Sequence, residues 1–326
     1  MSVKTQNSER FAVSIVIPTY NQCAMLGETL ESVFAQTVRP AEVIVVDDGS
    51  TDATRERFGN DPRLKYIRQA NAGPSAARNA GLAVSTGEFI LSLDHDDVLN
   101  PEYLKHVMLA FEKHPAAQII WTNFATAGTE TYPDYLEAKS AGPTTYSLPR
   151  HLAEFVNARR GPHAMVLLTP PESAFLFSHY GGLSNSALVI RRSALKGWNA
   201  RLRIMDDWGM LLNIVTTGSC AAAFVSTPLW TKRLGPHNLA MLSLRLPTAI
   251  ADAQVLTNEY GPKVARSAGR IYRNFLADLH YEFGYRLSVE GLFIPAVTEY
   301  WRAFRVIPSA KPFWWMIRAT ARYVFK

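Results

Sequence analysis

Three aspartates and a histidine stand together in the sequence as Asp94, His95, Asp96 and Asp97. They follow the apolar run at 88–93, which is typical of a strand buried on both faces of a parallel sheet. Side chains at the carboxyl end of such a strand lie where open α/β sheets bind ligands. Crowded carboxylates repel one another, and a divalent cation would compensate their charge. Asp94 and Asp96 could offer two hard oxygen ligands to Mg²⁺ or Mn²⁺, as metals that carry a phosphate substrate require.

A simple acidic turn is the alternative interpretation of these residues. Asn100 would then cap the next helix, with Pro101 at its first position. The motifs upstream favour the metal site over the turn.

Polar residues also follow the first two predicted strands. Tyr20, in Pro18-Thr-Tyr-Asn21, could stack on a nucleobase, while Asn21 could instead cap the following helix. Asp47 and Asp48 end the second strand, and a carboxylate there could accept hydrogen bonds from a base or a ribose. A capped turn explains the residues that follow, but it leaves the aspartate pair unexplained.

A third motif, Asn71-Ala-Gly-Pro-Ser-Ala-Ala-Arg-Asn79, opens a helix. Gly73 and Pro74 make a tight entry, and both the helix N-terminus and Arg78 favour an anion. An exposed helical arginine is the alternative. The motif is neither the Rossmann glycine fingerprint nor a P-loop, so it does not support a dinucleotide-binding or ATPase function.

The elements that must position these residues alternate along the first third of the chain. Apolar runs predict strands at 13–17, 43–46, 64–67, 89–93 and 118–124, separated by helices. This order predicts an α/β fold with a parallel, doubly wound sheet and right-handed crossovers. Residues 125–184 predict long loops and short helices. A strand at 187–190, a helix at 208–216 and a mostly helical region after 237 follow.

Composition limits the function classes. The chain has 326 residues, 48% of them hydrophobic and 19% charged, as expected of a globular protein. Two distant cysteines, a polar stretch at 1–10 and the lack of a membrane-spanning apolar run lead us to expect a cytoplasmic protein. The cations do not cluster with aromatics on the predicted sheet, which argues against a nucleic-acid partner.

The segment 311–326 combines aromatic residues with four cations. It fits a helix at a membrane interface, which would hold the protein at the inner face of the membrane. It fits a helix packed on the body of the protein equally well.

Taken together, these motifs resemble the family 2 glycosyltransferases. The resemblance rests on their order and spacing: Pro18-Thr-Tyr-Asn, Asp47-Asp-Gly-Ser-Thr-Asp, the stretch 73–79 and Leu93-Asp-His-Asp-Asp. A second block at 185–192 and 205–212 resembles the acceptor half of that family. The resemblance implies a GT-A type, Rossmann-like, mostly parallel sheet flanked by helices, with a helical C-terminal extension. It divides the chain into a nucleotide-sugar half at 1–125, an acceptor half at 126–243 and a helical region at 244–326.

The resemblance also implies roles for individual residues. Donor binding would involve Pro18, Thr19, Tyr20, Asp48, Arg78, Asp94 and His95. Arg78 would approach the base or the phosphates. Asp96 and His237 would hold Mn²⁺ or Mg²⁺ at the diphosphate, and Asp207 would be the catalytic base. Asp206 and Asp97 would support them, although Asp206 could simply cap the helix that follows.

The implied function is an inverting, metal-dependent transfer of a sugar from a nucleotide-diphosphate donor to a hydroxyl acceptor, in surface glycan, polysaccharide or glycolipid synthesis. UDP-sugars are the family's commonest donors, and a glycan or lipid-linked acceptor is expected. The Gln-x-x-Arg-Trp motif of processive synthases is absent, which indicates transfer of one or a few sugars. Asn213 stands where the family usually has an arginine. The alternatives are a nucleotidyltransferase, which would want a glycine-rich basic loop after the first strand, and a non-catalytic nucleotide-sugar-binding protein.

Overall fold

The computed structural model describes residues 12–126, 165–179, 184–233 and 245–324. The strands are β1 (Val13–Thr19), β2 (Glu42–Asp47), β3 (Lys65–Arg68), β4 (Phe89–Ser92), β5 (Asp97–Leu99), β6 (Ala117–Thr126), β7 (Met165–Leu168), β8 (Leu188–Arg191) and β9 (Ala221–Lys232). The helices are α1 (Cys23–Phe34), α2 (Thr54–Phe58), α3 (Pro74–Val84), α4 (Tyr103–Lys113), α5 (Pro170–His179), α6 (Asp206–Thr217), α7 (Leu246–Val255), α8 (Arg266–Val289), α9 (Phe293–Val306) and α10 (Ala310–Val324).

These nine strands form one sheet in the order β3-β2-β1-β4-β8-β6-β9-β5, with β7 also paired to β9. The first four strands in this order, β3, β2, β1 and β4, run parallel to one another, as the alternating strand and helix signals predict. β8 lies antiparallel between β4 and β6, and β6 and β9 again run parallel to each other. The predicted mostly parallel sheet with flanking helices is therefore confirmed, and β5, β7 and β8 are the antiparallel strands that make it mixed.

The strand sequences explain their central position. β1 is buried along its whole length, and Ile15, Val16 and Ile17 have no exposed surface. Such β-branched residues suit a pleated surface that is covered on both faces. β7 and α5 lie where the sequence predicted only loops and short helices. β7 is a four-residue strand that pairs with β9, so its stability depends on a partner that its own periodicity does not reveal.

The helix α6 lies between two hydrophobic clusters. Met210, Leu211 and Ile214 pack into the large core around the sheet. Trp208 and Leu212 belong to a second cluster, built with the helices α7 and α8. The helical C-terminal region is thus packed directly against the second half of the sheet domain. The division of the chain at 125/126 and 243/244 stays a prediction, because both boundaries border segments outside the described residues.

Within the described residues, every helix is too short or too polar to cross a lipid bilayer.

Candidate active site

The acidic turn after β4 brings three carboxylates together. Ligand oxygens of Asp94, Asp96 and Asp97 all lie within 4.8 Å of one another. Asp97 is 2% exposed, and its Oδ2 atom is buried without a hydrogen-bond partner. Burial and the charge of Asp94 raise the pKa of Asp96, and the same two causes raise the pKa of Asp97 well above its usual range. An all-oxygen donor set with excess negative charge fits Mg²⁺ or Mn²⁺, which these three residues could hold.

The backbone of this turn is fixed from α1 and from the end of β9. Thr29 donates its hydroxyl to the carbonyls of His95 and Asp97, at 2.7 and 2.8 Å. Arg233 donates to the carbonyl of Asp96 and also pairs with Glu28. These contacts point the side chains of the turn toward one another. Sequence reasoning missed Thr29 and Arg233, since neither belongs to a motif.

The predicted donor-binding residues at the end of β1 lie beside this turn. The carbonyl oxygen of Pro18 accepts a hydrogen bond from Nδ1 of the His95 ring, at 3.1 Å. Thr19 is buried, and its carbonyl accepts the backbone N–H of Asp48 at 2.9 Å. Tyr20 is 46% exposed. An exposed ring that follows a buried strand is available for stacking on a base.

The carboxylate of Asp48 holds the loop that leads into α3. It accepts hydrogen bonds from the side chain of Gln69 at 2.7 Å and from the backbone of Ala72 and Gly73 at 2.9 and 2.8 Å. Gly73 has a φ of 91°, in the left-handed region that favours glycine, and Pro74 then starts the helix. Asp48 therefore shapes the donor-side loop, and its contact with a nucleobase stays a prediction.

Arg78 joins the two halves of the site. Its buried guanidinium donates to Ser92 at 3.0 Å, to Asp94 at 2.6 Å and to Asp206. Burial opposes its charge, but the carboxylates of Asp206 and Asp94 raise the pKa of Arg78. The structure places the guanidinium between these carboxylates, so its contact with a base or a phosphate stays a prediction.

The aspartate pair opens α6. Asp206 is the first residue of the helix, and the preceding residue, Met205, provides no side-chain cap. Asp206 stands one residue past the cap position, and its carboxylate pairs with Arg78 while also accepting backbone N–H groups of the first turn. Burial raises the pKa of Asp206, and the charge of Arg78 partly offsets this effect. Asp207 lies beside it in the first turn and is partly exposed.

The structure describes only one of the two remaining predicted positions, His237 and Asn213. His237 lies outside the described residues. Asn213, which replaces the family's usual arginine, accepts a hydrogen bond from the hydroxyl of Tyr260 at 3.0 Å. At this position the chain therefore makes a contact with its own C-terminal region.

Comparison with known proteins decides the family. The family model described as glycosyl transferase family 2 matches residues 14–196, which is more than half of the chain. This chain belongs to glycosyltransferase family 2. The matched region contains the acidic turn between β4 and β5 and the helix α3 that carries Arg78, and it ends before α6.

Individual glycosyltransferases match over shorter stretches. The chain is 40% identical over 97 residues to glycosyltransferase GlyA of Streptococcus pneumoniae serotype 4, covering 28% of this chain and 14% of that protein. It is 36% identical over 114 residues to chondroitin synthase of Escherichia coli, covering 34% and 17%. It is 39% identical over 105 residues to an uncharacterized glycosyltransferase of Nostoc, covering 31% and 33%. The chain thus spans a third or less of the length of these relatives.

Solved structures confirm the GT-A type of fold. Staphylococcus aureus TarS 1–349 in complex with UDP-GlcNAc aligns with a TM-score of 0.59 at 18% identity, covering 91% of this chain and 82% of that one. A mannosyltransferase from Pyrobaculum calidifontis, in complex with GDP-Man and Mn²⁺, aligns with a TM-score of 0.51 at 17% identity, covering 97% and 81%. These alignments extend past the family match into the C-terminal helices.

Proposed function

We propose that this protein is an inverting, metal-dependent glycosyltransferase that moves a sugar from a nucleoside-diphosphate donor to a hydroxyl of a glycan or lipid-linked acceptor. The observation that carries the proposal is the continuous link from the acidic turn through Arg78 to the aspartates of α6. A metal-binding cluster and a carboxylate at the start of α6 stand on either side of this link. A UDP-sugar is the favoured donor, because the TarS structure that shares the fold binds UDP-GlcNAc.

The donor-side residues have distinct tasks in this proposal. Asp94, Asp96 and Asp97 hold Mn²⁺ or Mg²⁺, with His237 as a further ligand. The bound metal neutralises negative charge on the diphosphate leaving group. The exposed ring of Tyr20 stacks on the base, where Pro18, Thr19 and Asp48 shape the pocket.

Asp207 acts as the general base. It takes the proton of the acceptor hydroxyl while the hydroxyl oxygen bonds to C1 of the sugar, and the C1–O electron pair leaves with the nucleoside diphosphate. A single displacement inverts C1, so an α-linked donor gives a β-linked product. The N-terminus of α6 stabilises the anion of Asp207 and limits its basicity. Asp206 is buried against Arg78, whereas Asp207 is partly exposed and accepts the N–H of Trp208 at 2.6 Å, so Asp207 is the member of the pair that we assign to the acceptor side.

Calorimetry with a panel of nucleoside diphosphates and nucleotide sugars, in Mn²⁺ and in chelator, tests the donor site. We expect UDP compounds to bind in Mn²⁺ and to lose most of their affinity in chelator or in Asp96→Ala. Equal affinity in both conditions would sink the metal-dependent proposal. Donor hydrolysis and transfer assays then test catalysis. Metal-dependent binding with neither hydrolysis nor transfer would favour the non-catalytic sugar-nucleotide-binding alternative.

We also propose that the C-terminal hairpin of α9 and α10 attaches the protein to anionic membranes. An aromatic patch on this hairpin consists of Trp301, Phe304, Phe313, Trp314 and Ile317. The rings of Trp301 and Phe304 lie 5.7 Å apart, and those of Phe304 and Phe313 lie 6.1 Å apart. Four of these five side chains are exposed, between 46% and 63%. Large exposed apolar patches mark interaction sites on soluble domains.

The charges around this patch favour an anionic lipid surface. Arg302, Arg305, Lys311 and Arg318 lie on the same two helices. The carboxylate that α9 contributes, Glu299, is 5% exposed and bonded to His280 and Arg302. Helices that combine exposed apolar side chains with an excess of cations are the kind that lie at the interface of anionic membranes. Such attachment would bring the active site close to lipid-linked or surface-glycan acceptors.

Vesicle flotation tests this attachment with the double variant Phe313→Asp/Ile317→Asp. The matched control is Leu109→Asp, because Leu109 is also exposed but lies on α4. We expect the parent protein and the control to float with phosphatidylglycerol vesicles at low salt, and the double variant to stay in solution. Failure of the parent protein to bind these vesicles contradicts the proposal. A concentration-dependent dimer that the double variant abolishes would instead assign the patch to a second copy of the chain.

A further inference from the structure

Asp252 places a buried carboxylate directly before the catalytic helix. It lies on α7, outside the segment that the family model matches, and it is 1% exposed. The backbone N–H groups of Arg203, Ile204 and Met205 donate to its carboxylate oxygens at 3.0, 2.7 and 2.9 Å. Three successive amides that converge on one anion form a backbone nest, which here is filled by the protein's own side chain.

This nest holds the backbone that enters α6. Met205 directly precedes Asp206, the first residue of the helix, and provides no side-chain cap. Amide groups at a helix N-terminus lack intrahelical partners. The amide of Met205 finds its partner in Asp252, on a different element, while Asp207 accepts the N–H of Trp208 at 2.6 Å. The entry to α6 is therefore held by α7.

The same short segment also contacts the donor-side loop. The guanidinium of Arg203 donates to the carbonyl of Ala72 at 2.9 Å, and the N–H of Ala72 donates to Asp48 at 2.9 Å. Gly73 lets the guanidinium approach, because a Cβ atom at this position would lie 1.9 Å from it. The segment at 203–205 is therefore fixed between Asp252 on one side and the donor loop on the other.

Other contacts hold the same helix from the C-terminal region. Asn199 donates to Glu259 at 3.0 Å, and the hydroxyl of Tyr260 donates to Asn213 on α6 at 3.0 Å. Trp208 packs edge-on against Tyr272, with ring centres 5.1 Å apart. Asp252 differs from these groups because it binds the backbone of the three residues that precede the aspartate pair.

We infer that Asp252 is a positioning residue for the transfer step: its carboxylate fixes the 203–205 backbone and thereby the place of Asp207 relative to the acceptor hydroxyl. The inference rests on the proposed function of Asp207. Displacing a catalytic group by about 1 Å can lower a rate by about 10²-fold. Asp252→Ala is therefore expected to lower kcat by roughly that factor. The KM for the donor should change little, because the carboxylate cluster lies in the turn between β4 and β5, which Thr29 and Arg233 hold independently of Asp252.

The experiment compares Asp252→Ala, Asp252→Asn and the control Glu299→Gln in the full chain. Glu299 is likewise a buried carboxylate of the helical region, but its partners are His280 and Arg302. Hydrogen exchange reports on the peptide that contains 203–205, calorimetry reports on binding of UDP with Mn²⁺, and kinetics report on kcat per folded protein. We expect both Asp252 variants to exchange faster in that peptide, to bind UDP as the parent does and to lose kcat. Asp252→Asn should lose less, because it keeps one acceptor oxygen. Glu299→Gln should keep the parent kcat.

The outcomes separate the inference from the proposed function. Unchanged exchange at 203–205, or kcat per folded protein equal to that of the parent, overturns the positioning role. If Asp252→Ala does not fold, Asp252→Asn decides by the same measurements. If the parent protein transfers no sugar, the proposed function fails, while the exchange measurement still tests whether Asp252 holds the segment.

Discussion

At the scale of single residues, the acidic turn lowers the stability of the fold at neutral pH. Asp97 is almost fully buried, and one of its oxygens lacks a hydrogen-bond partner. Its pKa is raised by burial and by the charge of Asp94. A carboxyl whose pKa is raised by folding destabilises the fold at pH values above the ordinary carboxyl pKa, since the unfolded chain holds the charge more easily. The metal-free protein is thus strained electrostatically at neutral pH.

Asp97→Asn should therefore stabilise the metal-free protein and weaken its response to metal. Removing a poorly compensated buried charge is expected to gain about 1–3 kcal/mol. Thermal unfolding in chelator and in Mn²⁺ measures both effects. The parent should gain Tm with Mn²⁺, whereas the variant should start higher and gain less. Asp61→Asn is the control, because Asp61 pairs with Arg63 at the surface. A variant that is less stable in chelator and keeps the full Mn²⁺ response would contradict this account.

The two aspartates of α6 should respond to amidation in opposite ways. Asp206 is paired with the buried Arg78, and breaking a buried pair costs about 3–5 kcal/mol. Because Arg78 keeps its ion pair with Asp94, Asp206→Asn should lower the unfolding free energy, but by less than this amount. Asp207→Asn should keep stability and donor binding but lower kcat by about 10²–10⁴-fold. Urea unfolding and steady-state kinetics make the comparison. If Asp207→Asn transfers sugar at the parent rate, the base lies elsewhere.

Sequence reasoning could identify the residues of the site but not their partners. Asp94 to Asp97 follow a recognisable buried strand, so their place at the sheet edge was predictable. The pairing of Arg78 with Asp206 joins positions 128 residues apart, and Arg233 reaches Asp96 across 137 residues. Such partners depend on how the strands are ordered in space, which local patterns do not encode. Asp252 carries no motif at all and becomes visible only through the three amides that it binds.

At the scale of elements, the same contrast holds for the sheet. The β-branched runs predicted β1, β2 and β4 because a strand covered on both faces must be apolar along its length. The insertion of β8 between β4 and β6 could not be predicted, because an apolar run does not specify its neighbour or its direction. The starts of α3 and α6 were predictable to within two residues, whereas the bounds of α5 and the packing partners of the helices were not.

The packing of α3 on the sheet gives a prediction at this scale. Gly81 lies so close to β1 that a Cβ atom there would be 2.3 Å from Cγ1 of Val16. Gly81→Ala should push α3 away from β1 and lower the unfolding free energy by about 1–3 kcal/mol. Gly218→Ala is the matched control, since nothing lies within 4 Å of its Cβ position. Urea unfolding of both variants tests the difference. Equal stability of the two variants would show that α3 can shift without cost.

At the scale of the whole molecule, the C-terminal helices complete the domain instead of forming an appendage. Leu202, Met205, Trp208 and Leu212 are buried against α7 and α8. Burying one large apolar side chain contributes about 1.5–3 kcal/mol, and a domain's net stability is about 5–15 kcal/mol. Losing the cover of these four side chains would thus remove a large share of the stability. The hairpin of α9 and α10 contributes less to the core, because its hydrophobic cluster with Tyr281 is small and is separate from the other two clusters.

Two truncations should therefore behave differently. A chain that ends at 308 lacks α10 and with it three of the five residues of the aromatic patch. It keeps α7, α8 and the nest around Asp252. We expect it to unfold cooperatively and to transfer sugar to a soluble acceptor, while losing its binding to anionic vesicles. A chain that ends at 244 exposes Trp208 and Leu212 and removes Asp252, so we expect it to aggregate or to unfold without cooperativity. Circular dichroism on heating, together with sedimentation, measures both outcomes. A well-folded and active chain ending at 244 would show that the sheet domain holds α6 without the C-terminal helices, and the positioning role of Asp252 would fall with it.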